Sequence, residues 1–216
     1  MDLDRLLPAC DVRVDRDTHG AAVALARRIG IMIHYDDSSS DKGALSWFRA
    51  PAFRLSYNRA YRDDGTRIRI TPSIHHAAYH AGVCLPEAGL PVVLLQQGFR
   101  YGSANVGYFG LAITSDGNDH ITIEQLDALT TDCAMIFRAA GWRPDSADVR
   151  IVGHDSRAIF NPRDNPTRRD LWGKLGRKPD PTGVNPADPV VNLDQLREGV
   201  RAFLYDDSNA IWRGWP

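Results

Sequence analysis

Short apolar runs, interleaved with amphipathic helical patterns, constrain this chain most. IMIHY (31–35), VGYFGLAITSD (106–116) and DVRIVGH (148–154) are rich in β-branched and aromatic residues and too short for helices, so they read as strands. RLSYNRAYRDDGTRIRITP (54–72) reads as two strands joined by a turn at Asp64-Gly65, a dipeptide that hairpins favour. Between them lie four helical patterns. THGAAVALARRIG (18–30) starts at a capping Thr18 and places Ala22, Leu25 and Ala26 on one face. A short helix is expected inside 36–51, closed by Pro51. TIEQLDALTTDCAMIFRAAG (122–141) opens on a Thr122/Gln125 capping box and stops at Gly141. VNLDQLREGVRAFL (191–204) has Asn192 as its cap. The order predicts an α/β fold, a mixed central β-sheet flanked by helices, in a single domain (1–216) with its core at about 18–205 and a tail at 206–216. HHAAYHAGV (75–83) reads as irregular, and 85–105 and 157–177 as inserted loops.

Composition removes several classes of function. The net charge of -1 argues against a nucleic-acid partner, which calls for a basic patch. No run approaches the ~18 apolar residues of a membrane span. The opening MDLDRLLPACDVRVDRD is acidic and broken by Pro8, unlike a signal peptide, which predicts synthesis in the cytoplasm. Cys10, Cys84 and Cys133 are scattered and form no CxxC pair, so neither a disulfide framework nor a cysteine metal site is expected. Cys133 is expected to be a buried, inert thiol.

Two apolar runs, IGIMIH and VRIVGH, end in a histidine, His34 and His154. Strand ends are where loops gather side chains on a rigid frame. One such histidine alone fits a core residue, whereas two in the same setting suggest a metal pair. A catalytic zinc takes three protein ligands and keeps a fourth position open, so a third nitrogen, carboxylate or thiolate is required.

The ordered set IMIHYDDSS, LSYNRAYRDDG, AAYHAG, NVGYFGLAI, IVGHDS and GRKPDP resembles the type 2 family of zinc-dependent N-acetylmuramoyl-L-alanine amidases. That family includes phage amidase lysins, bacterial recycling amidases and the peptidoglycan recognition proteins. The resemblance runs from about 28 to 183. It implies zinc as cofactor, His34, His154 and Asp180 as its ligands, and Lys178, in KPDP, as a catalytic neighbour. It implies peptidoglycan or a muropeptide as the partner, and a monomer is expected; an opening unlike a signal peptide and no obvious wall-binding repeat fit a lysin that reaches the wall through a holin or host lysis, a cytoplasmic recycling enzyme or a prophage product alike. His80, in YHAG, matches a site-lining histidine that is not usually a ligand, for which substrate contact is expected ahead of a structural hydrogen bond, while adjacent His75 and His76 are expected to be solvent-exposed.

Two departures stand out. The stretch between His154 and Asp180 is longer than the family's, and Asp164 lies nearer the usual spacing, but Pro162 stands where its lysine should be. Asp180 is therefore preferred. Some members carry a glutamate on the strand matching YFGLAI, where this chain has Ala112; others use a tyrosine, matched here by Tyr57. Missing that carboxylate keeps open a non-catalytic muropeptide-binding module, and a different zinc amide hydrolase is a third reading.

Overall fold

Side-chain alternation along strand β2 (Gly30–Tyr35) divides the sheet into two faces with different tasks. The computed structural model describes residues 2–15, 19–36, 38, 40–50, 56–80, 104–154, 181–182 and 187–211. Its six strands are β1 (Val12–Arg13), β2, β3 (Arg59–Tyr61), β4 (Arg67–Arg69), β5 (Tyr108–Ile113) and β6 (Ile151–Gly153), in the order β1-β4-β3-β5-β2-β6. Only β3 and β4 pair antiparallel, so the sheet is mixed, as the sequence predicts. Among the described residues the helices are α1 (Leu3–Leu6), α2 (Asp41–Arg49), α3 (Ala104–Gly107), α4 (Ile123–Ala140), α5 (Ala147–Arg150) and α6 (Leu193–Ile211). Among the described residues no helix is long and apolar enough to cross a membrane.

Ile31, Ile33 and Tyr35 face one way, with Phe109, Leu111 and Ile113 of β5 and Ile151 of β6. They meet Leu129, Cys133, Ile136 and Phe137 of α4 and Leu196 and Val200 of α6 in one buried cluster. Each large side chain removed from water there contributes roughly 1.5–3 kcal/mol. Cys133 is buried and free, and burial pushes its thiol well above the ordinary range, as expected of an inert cysteine.

Local chemistry accounts for the helix limits. At α4 the Thr122 hydroxyl accepts from the Gln125 amide while the Gln125 side chain accepts from the Thr122 amide, and Gly141 closes the helix at φ 66°. Asn192 caps α6 by accepting from the amides of Asp194 and Gln195. Ser40 caps α2 through the Gly43 amide. The hairpin turn forms where Asp64-Gly65 predicts it, with Gly65 at φ 78° and the Glu124 carbonyl 2.9 Å from where a β-carbon would stand.

Four expectations need correction. The helix predicted at 18–30 is a single 3₁₀ turn, Leu25–Arg27; Thr18 lies outside the described residues. The segment before that turn is extended because its backbone finds partners elsewhere: Gly20 and Val23 donate to the carbonyls of Ala77 and His75, and Ala21 accepts from Ala77. Alanines give little apolar surface to outweigh those bonds. In DVRIVGH the residues Asp148–Arg150 belong to α5, and only Ile151–Gly153 are strand. The packed core begins before residue 18, since Leu3 and Leu7 join the main cluster and β1 adds to the sheet. The final helix continues to Ile211, into the expected tail.

A buried charge fastens the hairpin to α4. Asp132, fully buried within that helix, accepts from Arg59 Nη1 and Tyr61 Oη, both at 2.8 Å, and from Arg67 Nε at 3.0 Å. Burial first, then the Asp132 carboxylate, hold the Tyr61 phenol well above its ordinary value, so it remains a donor. Asp132→Ala should destabilise the protein by about 3–5 kcal/mol, because two guanidinium groups lose their buried counter-charge. Urea unfolding of both proteins checks this; a loss below about 1 kcal/mol would mean that the network is incidental.

Candidate active site

The second face of the sheet carries Met32 and His34 of β2, opposite Gly110 and Ala112 of β5 in register. Helix α2 covers part of it, through Phe48, in a smaller cluster with Tyr57, Ala60, Ile68, Ile70 and Ala112. His34 is fully buried near the carboxyl end of β2. His154 follows β6 directly, and its amide donates to the Ile33 carbonyl at 3.3 Å, which places it beside His34. The two Nδ1 atoms lie 3.1 Å apart. Two nitrogens at 2.0–2.1 Å from one tetrahedral zinc would be about 3.3 Å apart, so this pair suits a shared metal.

His80 stands on the other side of His34, its Nδ1 2.9 Å from His34 Nε2 and its own Nε2 3.3 Å from the Tyr108 carbonyl. It is buried, and burial, with the neighbouring histidines, holds its pKa well below the ordinary value. Tyr57 precedes β3; its ring centroid is 5.1 Å from that of His34 and 6.1 Å from that of Phe48. Four of the six residues singled out by sequence therefore meet at one place. Lys178 and Asp180, like Asp164, lie outside the described residues. Ala112, fully buried, sits in register between His34 and Ala60, so this strand position beside His34 is apolar.

Several supports were not foreseen. Asn58 Oδ1 accepts from the Gly110 amide at 2.9 Å, and its Nδ2 donates to the carbonyls of Ile74 and His76 at 3.2 and 2.8 Å. Arg28 sends its guanidinium inward to the carbonyls of His75, His76, Asn105 and Tyr108, over the ring of Phe109, and burial lowers its pKa to about 10. Asp36 Oδ1 accepts from the Ser38 amide and hydroxyl and from the Ser115 amide, joining the ends of β2 and β5; burial outweighs those bonds and raises its pKa to about 6. A polar residue beside an apolar strand run is the only trace these leave in sequence.

His75 and His76 are half-buried rather than exposed, for His75 Nε2 accepts from the Leu3 amide and His76 packs edge-on against His19. His75 also forms, with Asp2 and Asp4, a group of three possible metal ligands whose ligand atoms all lie within 4.8 Å of one another. Its groups are already engaged: Asp4 accepts from the Ile74 amide and the Ser73 hydroxyl.

The model of the N-acetylmuramoyl-L-alanine amidase family, Amidase_2, matches residues 26–183. The chain belongs to this family. Similar solved structures include a selenomethionine derivative of AmpD, at 17% identity and TM-score 0.54 over 74% of this chain and 90% of that one. The Staphylococcus aureus hydrolase AmiA, in complex with its ligand, aligns at 15% identity and TM-score 0.55 over 94% of this chain and 86% of AmiA. At these identities the likeness is one of fold. Among curated proteins no significant match is found.

Gly110 gives this family member's site its room. A β-carbon there would lie 2.4 Å from His80 Cγ, so Gly110→Ala must displace the imidazole. The substitution should cost about 1–3 kcal/mol, as overpacking does, and shift the His80 ring signals in an NMR spectrum. Unchanged signals and stability would show that His80 does not rest on β5.

Proposed function

We propose that this protein is a zinc-dependent N-acetylmuramoyl-L-alanine amidase, hydrolysing the amide between N-acetylmuramic acid and the L-alanine of the peptidoglycan stem. The family match supports the reaction, and the 3.1 Å approach of His34 and His154 carries the metal reading. His34, His154 and Asp180 are the proposed ligands. A zinc ion held there would supply a water of lowered pKa, about 7, and would polarise a carbonyl. Lys178 is assigned to the oxygen that gains charge as the amide carbonyl is attacked. Tyr57, beside His34, donates a hydrogen bond to that same oxygen or orients the water. His80 is assigned to the wall of the substrate groove. Synthesis in the cytoplasm with release by a holin, as a phage lysin, suits this chemistry, and recycling of wall fragments is equally served by it.

Ala112 favours one alternative, a non-catalytic muropeptide-binding module of the same fold, because alanine moves no protons. Digestion of purified peptidoglycan, run with metal analysis of the same preparation, separates the two. Zinc near one per chain with hydrolysis lost on chelation supports the enzyme; an active preparation free of zinc removes the mechanism. Asp180→Ala should lose most of its metal while Asp164→Ala keeps it, and the reverse pattern would move the third ligand to Asp164.

Tyr57→Phe should leave zinc content and melting temperature unchanged and slow turnover by roughly 10²–10³, as removal of a single oxyanion donor does. Phenylalanine keeps the contact with Phe48 and removes only the hydroxyl. Turnover at the original rate would make Tyr57 a packing residue and shift the proton work to Lys178, to a carboxylate from an inserted loop or to water at the metal site.

A further inference from the structure

We propose that the backbone carbonyl of Tyr108, acting through His80, fixes His34 in the tautomer that offers Nδ1 to a metal, which makes His80 a positioning residue. The inference rests on the zinc reading above and extends it to the binding atom. A carbonyl oxygen only accepts, so its 3.3 Å contact with His80 Nε2 requires the hydrogen on that nitrogen. A neutral imidazole protonated at Nε2 keeps an acceptor at Nδ1. That acceptor lies 2.9 Å from His34 Nε2, so His34 donates through Nε2. His34 Nδ1 is then the lone pair, and it faces His154 Nδ1 at 3.1 Å.

The relay is anchored at its far end. Arg28 Nη1 donates to the same Tyr108 carbonyl at 2.7 Å and to the Asn105 carbonyl at 3.1 Å. Asn105 Oδ1 in turn accepts from the His80 amide at 3.1 Å. The absent side chain of Gly110 lets the His80 ring lie against β5, where both of its nitrogens reach their partners. Hydrogen bonds of this kind orient a metal-binding histidine and raise its basicity, and their loss typically weakens metal binding 10–100-fold.

Long-range ¹H–¹⁵N NMR of the labelled full chain, metal-free and with one equivalent of zinc, reads each tautomer directly. The expected result is His34 and His80 both protonated at Nε2, with zinc shifting His34 Nδ1. His34 protonated at Nδ1 in the metal-free chain, or bound to zinc through Nε2, overturns the proposal. If the chain takes up no zinc, the zinc reading fails, while the metal-free tautomer of His34 still decides this one. His80→Leu removes the acceptor and should lower zinc affinity, measured against a competing chelator, by about 10–100-fold and mix the His34 tautomers. His80→Gln, which can accept at one end and donate at the other, should recover part of both. A Leu variant that keeps wild-type affinity and a single Nε2-protonated His34 overturns the relay; should that variant not fold, the wild-type tautomers alone decide between the two outcomes.

Discussion

Six consecutive pairs join β2 to β5, from Gly30 opposite Tyr108 to Tyr35 opposite Ile113, and a slip of one residue would turn His34 into the helical core. That register decides which side chains meet α4 and α6 and which line the site. Both ends are pinned by buried polar groups. Arg28 grips the Tyr108 carbonyl where the pairing begins, and Asp36 holds the Ser115 amide where it ends. An apolar stripe alone tolerates small shifts, whereas hydrogen bonds of fixed direction do not.

The two faces divide stability from chemistry. One is a continuous apolar layer under two long helices, closed at the hairpin by Asp132. The other gathers His34, His80 and His154 within hydrogen-bonding distance of one another in series. Three buried imidazoles are tolerable only because the ring nitrogens that link the series each face a partner.

The strands, the capping box at Thr122, the stop at Gly141 and the Asp64-Gly65 turn were legible because each depends on residues close in sequence. His34 and His154 were legible because an apolar run that ends in histidine is visible locally. The segment at 19–24 misled because alanine-rich helical spacing competes with backbone pairing to residues 75–77, more than fifty positions away. Arg28, Asn58 and Gly110 act through long-range contacts to carbonyls, an amide and a ring, and no spacing rule points to them. Short apolar content likewise hid β1, whose two residues gain their place from β4 rather than from any pattern of their own.

The family match begins at residue 26, yet the fold begins earlier. Leu3 and Leu7 seal the main core, Arg59 donates to the Pro8 carbonyl at 2.9 Å, and β1 lies along β4 through Val12 and Arg13. Cutting the gene at the family boundary would leave β4 with a bare row of amides and carbonyls, a surface that invites edge-to-edge association with other chains. Residues 2–15 thus act as the sheet's hem.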